Sequence, residues 1–150
     1  MELTTIESIL DYAISNEGKA AALYYELAEK VDRPGMREAF LHFAKEEEGH
    51  KARLLKIKEG EIPAVIEGKV ANLGITESLD EPKIAANMTY QEVLLFAMKA
   101  EKAAFVLYTK LAEATSDAGL QRVFSGLAQE EAKHKLRFEI EYDDHILEGV

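Results

Sequence analysis

Residues 5–53 of this chain recur at residues 89–137. Displaced by 84 positions and without a gap, Leu10, Ala13, Glu17, Leu23, Tyr24, Leu27, Ala28 and Glu29 meet the same residue types at Leu94, Ala97, Glu101, Leu107, Tyr108, Leu111, Ala112 and Glu113. The register continues through Phe40 and Phe124, Ala44 and Ala128, Glu46-Glu47 and Glu130-Glu131, His50-Lys51 and His134-Lys135, and Arg53 and Arg137. Of the 49 pairs, 18 are identical, where unrelated helical sequence gives roughly 4. Whatever this chain folds into must accommodate two copies of one unit.

Each unit reads as two helices. Ile6, Ile9, Leu10, Ala13, Leu23 and Leu27 recur at helical spacing, and no run alternates long enough for a strand. Thr4 followed by Glu7, and Thr89 followed by Glu92, have capping-box spacing at the start of the first and third helices. Asp32 before Pro34 is the expected N-cap of the second helix, and Ser116 stands at the equivalent place before the fourth. The pattern predicts helices over roughly 5–30, 34–58, 89–115 and 117–147. Between the repeats (about 4–58 and 89–147), residues 59–88 hold Gly60, Gly68, Gly74, Pro63 and Pro82 with no sustained period. A connection of that length suits a crossover, which predicts an all-α four-helix bundle built from two antiparallel hairpins in one domain spanning 1–150.

The balance of 28 acids against 18 Lys and Arg gives a net charge of −10, which argues against nucleic acid as a partner. The absence of cysteine excludes disulfides, thiolate metal sites and a thiol nucleophile. Met1 to Ile14 carry acids and no base, and no apolar run reaches a bilayer's width, so no membrane role and a cytoplasmic location are expected. After Arg137, Glu139, Glu141, Asp143, Asp144 and Glu148 supply half the net charge.

The repeated acids carry the chemistry. Glu17 precedes Asp32 by fifteen residues and Glu47 follows it by fifteen, and Glu101 and Glu131 straddle Ser116 likewise, so a closed hairpin sets each pair at one level. Glu17 shares its helix face with Ala13, Ala20, Tyr24 and Leu27, which turns it inward. A repeated Glu usually marks a solvated face. Here, however, each second-helix Glu is followed three residues later by a His, in Glu47-Glu48-Gly49-His50 and Glu131-Ala132-Lys133-His134, so both side chains share one face. Four buried carboxylates at one level repel and resist desolvation unless cations compensate them. Four ionised Glu and two neutral His are balanced by two divalent metals, and oxygen-rich ligation with one imidazole per metal suits iron or manganese better than structural zinc.

With these residues the sequence resembles the rubrerythrin branch of the ferritin-like di-iron carboxylate superfamily, whose inward Glu, Glu-x-x-His, Glu, Glu-x-x-His pattern falls on Glu17, Glu47/His50, Glu101 and Glu131/His134. The resemblance covers all four helices and implies a ferritin-like bundle holding two Fe ions (Fe2+/Fe3+), with Mn or Zn as possible substitutes. Glu17 and His50 would hold one iron, Glu101 and His134 the other, and Glu47 and Glu131 would bridge them. Tyr24 and Tyr108, seven residues after the terminal glutamates, are either core rings or donors that orient a carboxylate of the opposite hairpin. Glu46 and Glu130 could also approach the histidines, though their rotation favours the flank. His42 has no repeat partner, since Gly126 stands there, and His145 beside Asp144 and Glu148 reads as an end cap.

The same likeness implies an oxidoreductase that reduces hydrogen peroxide or dioxygen. With no cysteine for a rubredoxin-type domain, electrons must come from an external donor such as a rubredoxin or a reductase. Two departures matter. Rubrerythrins carry a further third-helix Glu three residues after the first, where this chain has Ala104. The remaining symmetric set of six resembles bacterioferritin-type ferroxidase centres, but no fifth helix is expected, and Glu48 stands where a haem-ligating Met would. Ferroxidase or iron-binding function is therefore the alternative, and a non-catalytic helical interaction module the third. Apolar flanks at Leu94, Leu95, Phe96 and Val106 predict a homodimer, in which a hairpin could be exchanged between subunits.

Overall fold

The computed structural model describes residues 6–60 and 87–148. These contain four helices, α1 (Ile6–Lys30), α2 (Pro34–Lys58), α3 (Tyr90–Ala114) and α4 (Ala118–Glu148), and no strand among the described residues. The starts of α1 and α3, and of α2 and α4, are separated by the same 84 positions as the sequence repeat, so the duplication is structural as well. The expected cap at Thr4 and the crossover, apart from its ends, lie outside the described residues.

The chain divides into two compact units: Met1–Glu77 with Ala114–Leu120, and Ser78–Glu113 with Gln121–Val150. In the first, α1 and α2 form a hairpin whose buried stripe includes Ile9, Leu10, Ala13, Tyr24, Leu27, Met36, Phe40, Ala44, Leu54 and Ile57. The stripe follows the three-and-four spacing because every 3.6 residues return to one face. Arg37 fixes the bend: its Nε donates to the Ala28 carbonyl (3.2 Å) and its Nη2 to that of Val31 (2.9 Å), satisfying acceptors that the end of α1 leaves open. Gly60, at φ +79°, takes the left-handed conformation that terminates α2. The second unit repeats the plan with Val93, Leu94, Ala97, Leu107, Tyr108 and Leu111 of α3 and Val123, Phe124, Leu127, Ala128 and Phe138 of α4.

The capping box at α3 forms as expected: the Glu92 N–H donates to Thr89 Oγ1 (3.1 Å) and the Thr89 N–H to Glu92 Oε1 (3.0 Å). These hydrogen bonds, first from the Thr89 backbone N–H and then from its side chain, hold the Glu92 carboxyl below its usual range.

Three expectations need correction. The N-cap of α2 is Arg33 and makes no side-chain cap bond, so Asp32 is not the cap; Pro34 in the first turn removes one of the donors a cap would serve. The cap of α4 is Asp117, whose Oδ2 accepts from the Leu120 N–H at 2.8 Å, and Ser116 lies one residue too early. Leu94 is core, not flank, and Phe96 is half-buried, because the 100° step along the run from Val93 to Phe96 sends successive residues to different faces. His145 stands in the last turn of α4 as expected, and its ring also lies edge-on to Tyr90 at 5.0 Å, while the Tyr90 hydroxyl donates to Glu141.

Candidate metal centre

In the first hairpin, α1 supplies Glu17 and α2 supplies Glu47 and His50. Both glutamates are buried. His50 Nδ1 lies 3.6 Å from Glu17 Oε2 and 3.9 Å from Glu47 Oε1. The second hairpin reproduces the set with Glu101, Glu131 and His134, all buried. There His134 Nδ1 lies 3.4 Å from Glu101 Oε1 and 4.0 Å from Glu131 Oε2. The same ring nitrogen faces the same two carboxylates in both repeats.

These separations decide what each triad is suited to hold. A charge-assisted hydrogen bond draws nitrogen and oxygen to about 2.7–2.9 Å, and all four distances are longer. An ion with bonds of about 2.0–2.2 Å to nitrogen and oxygen instead keeps its ligand atoms about 3–4 Å apart. Within each hairpin, the two glutamates and the histidine offer ligand atoms within 4.8 Å of one another. Two carboxylates and one imidazole form a donor set suited to a first-row divalent metal such as iron or manganese. The residues therefore fit the metal that their pattern implies.

The flanking residues were partly legible. Tyr24 and Tyr108 are buried and stack on Phe40 (centroids 5.9 Å) and Phe124 (6.4 Å), which are themselves repeat partners. Glu46 pairs with the exposed His42 one turn away, and Glu130 lies 3.5 Å from Lys133. Glu130 also offers an oxygen within 4.8 Å of a His134 nitrogen, so the approach to the imidazole that its spacing allowed does occur.

One cluster escaped the sequence reading because it breaks the repeat. The Tyr25 hydroxyl bonds to Glu48, which raises the tyrosine's pKa, and both line an outer groove with Gly18, Lys51 and Ala52. A Cβ at Gly18 would come within 3.3 Å of the Lys51 ammonium, so the glycine beside Glu17 leaves room for that side chain. The second repeat has Thr109 and Ala132 at the positions of Tyr25 and Glu48. Comparing the repeats for differences rather than identities would have found it.

The architecture belongs to a class before it belongs to a family. A ferritin-like diiron-carboxylate protein of Thermotoga maritima superposes with a TM-score of 0.83 at 21% identity, over 97% of this chain and 99% of that one. This defines an all-α, ferritin-like four-helix bundle, as the sequence predicts. A hypothetical protein of Pyrococcus furiosus is similar over 91% of this chain and 87% of its own, with 27% identity and a TM-score of 0.73. The rubrerythrin family model matches residues 8–142, and the chain belongs to the rubrerythrin family. No curated protein matches it. No helix among the described residues is long and apolar enough to cross a membrane.

Proposed function

We propose that the protein is a di-iron oxidoreductase that reduces hydrogen peroxide or dioxygen with electrons from an external donor. The observation that carries this reading is the twice-built triad, in which buried carboxylates stand 3.4–4.0 Å from an imidazole nitrogen. Membership of the rubrerythrin family supports iron as the metal. In this reading Glu17, Glu47 and His50 would hold iron in the first hairpin, and Glu101, Glu131 and His134 would hold iron in the second. Four carboxylates then balance two divalent ions.

Bound iron supplies two one-electron carriers, so that two electrons and two protons convert a peroxide to two waters. The protein's own part is to bind, orient and shield. Burial of Glu17, Glu47, Glu101 and Glu131 keeps bulk water from the ligands and strengthens every charge interaction with them. Tyr24 and Tyr108 are buried against Phe40 and Phe124, and we assign their hydroxyls to orienting a carboxylate ligand. In this reading the protein works in the cytoplasm, where a rubredoxin or a reductase serves as donor.

A ferroxidase that retains ferric iron is the second reading. The observation favouring it is the half-buried Ala104 on α3, at the place of the further rubrerythrin glutamate. Anaerobic loading with Fe(II), followed by a peroxide pulse and separately an oxygen pulse, tests both. Two irons per chain oxidised faster by peroxide, then released or re-reduced, support the first reading. Faster oxidation by oxygen with retained ferric iron supports the second, and absence of iron uptake overturns both.

A further inference from the structure

The two triads repeat, but what covers them does not. A helical side chain leans toward the N-terminus of its helix, so the residues that cover a ligand stand three and four places after it. Three places on, the repeats agree: Ala20 and Ala104 follow Glu17 and Glu101, and Arg53 and Arg137 follow His50 and His134. Four places on, they differ. Phe105 and Phe138 follow Glu101 and His134 in the second hairpin, where the first has Ala21 and Leu54. The outer surface carries the same contrast. A recess of about 390 Å³ is lined by Gly18, Ala21, Ala22 and Ala52 among others, and the second hairpin has Lys102, Phe105, Val106 and Leu136 at those positions. His50 is accordingly half-buried, whereas His134 is buried.

We propose that the first triad is the open one: its metal exchanges with solution and small uncharged solutes reach it, while Phe105 and Phe138 seal the second. This rests on the reading that each triad holds iron. The donor atoms themselves do not separate the two sites. His50 Nδ1 stands 3.6 and 3.9 Å from its carboxylates, and His134 Nδ1 stands 3.4 and 4.0 Å from its own. What differs is the cover, so the two sites differ in the rate at which they are reached. An ion under a closed cover leaves only when the surrounding side chains open locally, and that opening has a free-energy cost of its own. An ion behind a methyl group and a recess does not wait for it. Ala21 and Leu54 therefore set the opening. Phe105 is partly exposed, as a ring standing between a buried carboxylate and solvent must be. Peroxide, small and uncharged, enters by the same side.

The test is the release of iron from the full chain, loaded anaerobically with Fe(II) and mixed with excess bipyridine, whose Fe(II) complex is coloured. The chelator is uncharged because the Lys51 ammonium lies over Gly18 at the rim of the recess. Two phases of equal amplitude are expected, separated by at least about tenfold in rate. Ala21→Phe gives the first hairpin the ring of the second, for which the recess has room. It should slow the fast phase by about tenfold and leave the slow phase unchanged. Phe105→Ala should do the reverse and accelerate the slow phase only. Iron content before mixing, with circular dichroism, checks that each variant keeps its metal and helicity, so that a change in rate is a change in access. Two irons bound per chain and released at one rate overturn the proposal and leave the di-iron reading standing. An unchanged slow phase in Phe105→Ala also overturns it, and decides alone if Ala21→Phe fails to fold. A chain that takes up no iron overturns the di-iron reading and the proposal with it.

Discussion

His50 and His134 are equivalent in the repeat yet unequally shielded, with side chains 13% and 2% exposed. The outer surroundings differ even though the carboxylates facing each ring do not. In the metal-free protein, diethyl pyrocarbonate should modify the exposed His42 first, His50 next and His134 last, read by peptide mass spectrometry. Loading with Fe(II) should protect His50 and leave His42 reactive. Equal rates for His50 and His134 would contradict the asymmetry.

Each triad buries two carboxylates beside one imidazole. Glu47→Gln removes one of those charges and keeps the shape, so the metal-free variant should be more stable than the unaltered chain by about 1–3 kcal/mol. The same substitution should lower iron stoichiometry below two per chain. Thermal melts with and without Fe(II) check both signs: the variant melts higher without metal and gains less from it.

The start of α4 rests on a side-chain cap, and the start of α2 does not. Asp117→Ala should cost about 1 kcal/mol, because the Leu120 N–H loses its acceptor. Arg33→Ala should cost less than half of that, since Arg33 makes no side-chain cap bond. Urea denaturation midpoints separate the two.

Stability should erode at both ends of the pH scale for identifiable reasons. The Glu92 carboxyl is held low by its hydrogen bonds from Thr89, so its contribution is present above the ordinary carboxylate range and lost as pH falls through the lowered value. Lys58 is held high, chiefly by its bond to Asp11. Its contribution is therefore complete below the ordinary lysine value and lost as pH rises through the raised one. Glu92→Gln should flatten the acid limb only, and Asp11→Asn the alkaline limb only, in melting temperature measured against pH.

Helix boundaries were legible in the sequence to within one residue, because the duplication samples every position twice and the breaks at Pro34 and around Ser116 coincide in register. The burial of Glu17, Glu47, Glu101 and Glu131 was legible for the same reason: each sits on a stripe whose other members are apolar. What was not legible depends on one-residue phase. Asp32 and Ser116 look like caps by type, but both helices begin one residue later than those caps would require, at Pro34 and Ala118. Leu94 and Leu95 are identical by type and opposite in fate, because a 100° step separates core from surface. The partnership of His145 with Tyr90 joins two ends of the second hairpin that no local pattern connects.

Because each hairpin carries a complete set of two carboxylates and one imidazole, the chemistry did not have to wait for the duplication. Two separate copies of one ancestral hairpin would have offered the same six ligands. Within one chain, Glu17, Glu47 and His50 stay in step with Glu101, Glu131 and His134 while positions outside those sets diverge, as Tyr25 and Glu48 do from Thr109 and Ala132.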